Sequence, residues 1–96
     1  MSYQLTNLSG AVEAVIDDNC GISKFNNIIN MLLHELRVKF LNKVDDSDTV
    51  DWHFKYKGHP LTLHYNIYNG VSVFAQNRKN NRAVDEIAKY LERKVF

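Results

Sequence analysis

Two histidines, His53 and His64, lie in neighbouring segments of alternating apolar and polar residues, VDWHFKY and LTLHYNI, with Lys57-Gly58-His59-Pro60 between them. If the segments are adjacent antiparallel strands, the register decides whether the two imidazoles face each other. Pro60 has no amide, so the reading here is a four-residue loop closed by Tyr56 opposite Leu61. That register puts Trp52 opposite Tyr65 and Phe54 opposite Leu63 on one face, and His53 opposite His64 on the other. Opposed imidazoles with β-carbons about 5 Å apart could share a metal ion or a proton. Zinc requires three or four ligands, and the neighbours Asp51 and Asn66 offer one carboxylate and one amide. The expectation is therefore a solvated histidine pair, with no metal and no cofactor.

Other chemistry finds less support. Asp45, Asp46 and Asp48 cluster in a polar stretch without an apolar pocket to separate acid from base roles. The chain contains no GxSxG, HExxH or P-loop pattern, and its four glycines are not spaced to cradle a phosphate. Cys20 is the only cysteine, so an internal disulfide is ruled out, and Asp17, Asp18 and Asn19 beside it disfavour a reactive thiolate. These residues do not point to an enzyme.

The elements that must position the histidines are clearest from Val50 to Ala75. Apolar residues alternate at Val50, Trp52, Phe54 and Tyr56, at Leu61, Leu63, Tyr65 and Ile67, and at Val71, Val73 and Ala75, which predicts a three-stranded antiparallel meander. Asn69-Gly70 marks its second turn. A two-residue turn there would face Val71, Val73 and Ala75 outward, so the pattern demands a three-residue loop, Tyr68-Asn69-Gly70, with Gly70 left-handed in a bulge. Ile67 then pairs with Val71, and Phe74 stays on the histidine face.

From Ser23 to about Asn42 the period becomes helical, with Ser23 as N-cap and Phe25, Ile28, Ile29, Leu32, Leu36 and Phe40 at spacings of three and four. A second helix starts near Asn80 or Asn81 and buries Val84, Ile87, Ala88, Leu91 and Val95. Tyr3 to Thr6 alternates like a short strand. Ala11 to Ile16 fits either a helical turn capped at Ser9 or a strand with Val12, Ala14 and Ile16 on one face, and the strand is preferred as an addition to the meander. The order is β-α-β-β-β-α. It predicts a single α+β domain over residues 1–96, in two layers, with a three- or four-stranded sheet and both helices on one face.

Apolar content of 45% and charged content of 24% suit a globular chain, and no apolar run approaches the roughly 18 residues of a membrane span. Met1-Ser-Tyr-Gln has no basic or hydrophobic leader pattern, so a cytoplasmic location is expected. The net charge of +1 conceals a split: residues 1–48 carry seven acids against four bases, and residues 49–96 carry four acids against eight bases. Such a split permits a basic face for an acidic partner, or head-to-tail pairing within the fold.

Arg78, Lys79 and Arg82 stand at the start of the second helix. The order helix, three antiparallel strands, helix over residues 23–95 resembles the double-stranded RNA-binding domain, in which a basic cluster at that place contacts phosphates across a groove. The resemblance implies nucleic-acid binding through these three residues, although the family's KKxAK run is not present. The favoured reading is different. An uncovered, polar sheet face carrying His53, Lys55, His64, Tyr68 and Phe74 fits a non-catalytic protein-binding module, such as a small bacterial inhibitor or immunity protein.

Overall fold

A computed structural model describes residues 3–6, 10–18, 21–75 and 77–95. In chain order they form β1 (Tyr3–Thr6), β2 (Val12–Asp17), α1 (Ile22–His34), β3 (Lys39–Asp45), β4 (Thr49–Tyr56), β5 (His59–Asn66), β6 (Gly70–Phe74), a 3-10 turn (Arg78–Asn80) and α2 (Asn81–Val95). The fold is α+β. All strands join one antiparallel sheet in the order β1-β2-β6-β5-β4-β3. Strands β3 to β6 make a meander, and the β1-β2 hairpin extends it beyond β6. Among the described residues no helix is long and apolar enough to cross a membrane.

The sheet has six strands rather than three or four. Part of the difference is β3, whose first four residues fall within the helix expected to run to Asn42. In the structure α1 stops at His34. Arg37 takes a left-handed φ of 54°, and the Val38 amide turns back onto the Leu32 carbonyl at 3.1 Å. Phe40 satisfies two periods at once, being four residues beyond Leu36 and two beyond buried Val38. Aromatic packing selects the strand: Phe40 lies 4.8 Å from the Trp52 ring and 5.6 Å from Phe54. Ser23 does not cap α1 either, because the N-cap is Gly21, two residues earlier, and it makes no side-chain bond.

The first hairpin also differs from expectation. Lys57 and Gly58 form a two-residue turn with φ of 50° and 82°, the positive values that a type I′ turn requires at both central positions. Tyr56 pairs with His59, so the turn closes without calling on Pro60. Pro60 falls at the next pair, opposite Lys55, where an antiparallel ladder directs the amide away from the partner strand. The ladder with β6 extends no further than Thr62, so the missing donor leaves no gap there. In this register Trp52 faces Leu63 and Phe54 faces Leu61.

The second turn has the expected three residues, displaced by one. Ile67-Tyr68-Asn69 is the loop, and Asn66 pairs with Gly70. Asn66 holds it by accepting from the amides of Tyr68 at 2.7 Å and Asn69 at 3.2 Å. Gly70 is left-handed as the pattern demanded, at φ 82°. The displacement exposes Ile67, which was expected to be on the core face.

Both helices bury their apolar stripes against one side of the sheet. Phe25, Ile28 and Leu32 of α1 and Val84, Ile87 and Leu91 of α2 share a core with Ile16, Phe54, Leu63, Tyr65, Val71 and Val73. Phe25 stacks on Tyr65 at 5.0 Å. Each of these side chains contributes roughly 1.5–3 kcal/mol of gross burial energy. At the first residue of α2, the Asn81 side chain donates to the Gly10 carbonyl at 2.8 Å and accepts from the Val12 amide at 2.9 Å, tying the helix to the entry of β2.

Two tests follow from these contacts. A β-carbon on Gly70 would sit 1.8 Å from the Asp17 carbonyl oxygen, where an extra residue at Ile16 bulges β2 towards the turn. With the left-handed φ added, Gly70→Ala should cost more than about 2 kcal/mol, seen as a lower urea midpoint with an unchanged m value. The Tyr90 phenol donates to the Glu35 carboxylate just beyond α1. That hydrogen bond, then partial desolvation and the charge of Glu35, raise the phenol above its usual 10.0, with Arg93 opposing. Ultraviolet titration should place Tyr90 above an ordinary tyrosine, and Glu35→Gln should bring it down.

Candidate functional site on the open sheet face

Strand parity fixes the composition of the other face. Residues opposed in an antiparallel pair point to the same side, so the register places Val44, Asp51, His64, Ser72 and Val15 in one row across β3 to β2. The neighbouring row contains His53, Thr62, Phe74, Glu13 and Leu5, and a third contains Lys39, Lys55 and Pro60. No helix covers this side among the described residues. Leu5, Leu41 and Val44 are exposed on it, and Phe74 is half-buried near its centre.

The structure corrects the opposed histidine pair. His64 faces Asp51, and His53 faces Thr62; the two imidazoles are diagonal neighbours on one face. Each has its own partner. His64 Nδ1 is hydrogen-bonded to the Asp51 carboxylate, and His53 Nδ1 lies 2.8 Å from the Thr62 hydroxyl. Across the next pair of strands Ser72 Oγ donates to Glu13 Oε2 at 2.7 Å. Asp51, His64 and Ser72 thus share a row. The Ser72 hydroxyl is committed to Glu13, however, so the row is not wired as a nucleophile activated by its histidine. Among the described residues no three His, Cys, Asp or Glu side chains are placed to hold a metal.

The polar groups are also unusually dry. Thr62 is 2% exposed and Ser72 4% exposed on a face that no helix covers among the described residues. The His64 and Phe74 rings are 6.3 Å apart, at the middle of this surface.

The two ends of the sheet carry opposite charge. Where β2 and β3 finish and β4 begins, Asp17, Asp18, Asp45, Asp46, Asp48 and Asp51 gather around the β5-β6 turn, whose Ile67 amide donates to the Asp48 carbonyl at 3.1 Å. Two of them are paired with lysines, Asp17 with Lys24 at 2.6 Å and Asp45 with Lys43 at 3.3 Å. At the opposite end stand Lys39, Lys55, Lys57, Arg78 and Lys79. A depression of about 450 Å³ lined by Glu13, Asp18, His64 and Ser72 opens near the acidic end. One of about 270 Å³ lined by Leu41, His53, Pro60, Thr62, Asn77 and Asn80 lies at the basic end.

The remaining expected site residues are dispersed. Lys55 is on the open face, but Tyr68 is not in a strand; it stands at the tip of the β5-β6 turn, 73% exposed, beside the acidic end. The Arg78 side chain lies along Gly10, and Arg82 engages Glu86 at 3.9 Å. The plan that carried the resemblance to the double-stranded RNA-binding domain is not the one built, since β1 and β2 precede α1 and β3 adds a fourth strand after it. Cys20 and Gln76 lie outside the described residues. Sequence reasoning missed the pairings of Asp51, Thr62, Ser72 and Glu13, all of which depend on register, and also Asn80, which gives no signal inside a polar loop.

The dry hydroxyl gives a test of this network. Ser72→Ala leaves Glu13 without its donor and should cost about 1–2 kcal/mol in urea denaturation. Ser72→Thr, which keeps the hydroxyl, should recover most of that loss.

A family model described as "Protein of unknown function (DUF3630)" matches residues 4–94, nearly the whole chain, and the protein belongs to that family. No curated protein and no solved structure matches it.

Proposed function

We propose that this member of the DUF3630 family is a non-catalytic protein-binding module whose partner docks on the open face of the sheet, in the manner of a small inhibitor or immunity protein. One observation carries the reading. A half-buried aromatic, Phe74, sits at the centre of an uncovered face, with exposed Leu5, Leu41 and Val44 around it and polar neighbours already bonded to one another.

The energetics favour such a surface. Docking over Thr62, Ser72 and the Asp51–His64 pair leaves the bonded atoms of these groups satisfied, because their partners are intramolecular. Burial of Phe74 and the surrounding aliphatic side chains then supplies the affinity. His53, Lys55 and His64 contribute a polar surround. Tyr68, at the turn tip, serves as a contact at the rim.

Affinity capture from the native host with the full chain as bait, read by mass spectrometry, should recover a partner that Phe74→Asp loses. With the partner in hand, that substitution should weaken binding by about 30-fold, the loss typical of a central anchor, while the thermal midpoint changes little. Recovery of the same proteins at equal yield by the Phe74→Asp bait would remove the proposal. So would loss of the partner through Lys89→Glu on the exposed side of α2 instead.

A further inference from the structure

We infer that the depression at the basic end of the open face is a binding site for a small organic anion, a carboxylate or phosphate carried on a compact apolar body. This inference does not rest on the protein-docking reading. Three independent observations converge on it.

The first is a buried amide with spare capacity. Asn80 is 5% exposed, and its Oδ1 is engaged by His59 Nδ1 at 3.0 Å. Its Nδ2 makes no hydrogen bond to the described residues. Yet none of the described side chains holds a polar atom both sealed from solvent and unpaired. The nitrogen therefore keeps some exposure to solvent, and Asn80 is one of the residues that line the depression. An amide nitrogen offers two donors and no acceptor, so what it seeks is an acceptor.

Charge supplies the second observation. Lys39 and Lys55 are opposed across β3 and β4, and Lys55 is in turn opposite Pro60 on the wall of the depression. Neither lysine makes an ion pair among the described residues. Arg78 and Lys79 are flanked by the two lining asparagines, Asn77 and Asn80. No carboxylate lines the cavity. Cations beside a cavity whose lining holds no carboxylate raise the local concentration of anions there.

The third is shape. At about 270 Å³ the volume falls just under the roughly 300 Å³ at which small-molecule pockets begin. Leu41 and Pro60 give an apolar wall, so a bare inorganic ion would leave that wall wet. His53 completes the polar side: Nδ1 is engaged by the Thr62 hydroxyl, which leaves Nε2 as the ring nitrogen available to a ligand.

The test is a titration of the full isotopically labelled chain with phenyl phosphate, followed by two-dimensional NMR, with inorganic phosphate and phenol as separate arms. Phenyl phosphate should give saturable shifts concentrated at Asn77, Asn80, His53 and Leu41. Inorganic phosphate should bind at least about fivefold more weakly through loss of the apolar contact, and phenol should shift none of these signals. Two variants set the attribution. Asn80→Asp keeps the bond to His59 but turns a carboxylate oxygen into the cavity, and Leu41→Glu puts a negative charge at its exposed mouth. Each should weaken phenyl phosphate at least about tenfold, and if Asn80→Asp fails to fold, Leu41→Glu alone decides. Absence of saturable shifts would overturn the inference, as would shifts spread over every lysine and arginine that persist unchanged in the folded variants.

Discussion

Each side chain of β5 can point in one of two directions, and the turns at the two ends of the strand decide which. Lys57-Gly58 sets β4 against β5, and Ile67-Tyr68-Asn69 sets β6 against β5. A slip of one residue in either turn would bring His53, His64 or Phe74 into the helix-covered core and push Phe54, Leu63 or Val73 into water. The free energy at stake is that of several large apolar side chains at once, far more than either turn could contribute through its own hydrogen bonds. The left-handed residues Lys57, Gly58 and Gly70 are consequences of that constraint. So is the close approach of Gly70 to Asp17, since the β1-β2 hairpin must join β6 without disturbing its parity.

This explains which parts of the fold could be read from residues alone. Alternation over Val50 to Val73 and over Val12 to Ile16 reports parity directly, and the faces, the strand at β2 and the placement of Phe74 all follow from it, while α2 follows from the spacing of Val84, Ile87, Ala88 and Leu91. Register is a different quantity. Slipping two residues conserves parity, so Trp52 meets Leu63 in place of Tyr65 with no apolar side chain changing face. The opposed histidines depended on register and were lost; the shared histidine face depended on parity and was kept. At β3 the difficulty was of another kind. Leu36 and Phe40 continue a helical period, and only the long-range contacts with Trp52 and Phe54 break the tie.

The open face shows how a sheet can leave one side uncovered without a heavy penalty for its polar groups. Thr62 with His53, Ser72 with Glu13 and His64 with Asp51 are bonded between strands, so the hydroxyls can be shielded although no helix covers them among the described residues. Such pairs also stiffen the surface, because each locks a rotamer on two strands. Spare capacity is concentrated at the basic end, where the Asn80 amide nitrogen makes no hydrogen bond and Lys39 and Lys55 make no ion pair among the described residues. The charge split between the two halves of the chain reappears in space as a separation along the strand axis, an outcome of which strand ends the antiparallel order gathers together.

Among the described residues nothing pairs with the outer side of β1 or of β3, and these strands are poor templates for a further strand. The described β1 is four residues long. β3 is longer, but the extra residue between Phe40 and Lys43 throws its outward amides and carbonyls out of step with any straight strand laid beside them, and Lys39 and Lys43 add charge that a second chain would have to desolvate. The bulge that brings Leu41 to the rim of the basic depression therefore also guards against sheet growth, and so helps keep this β-rich chain from polymerising through its own edge.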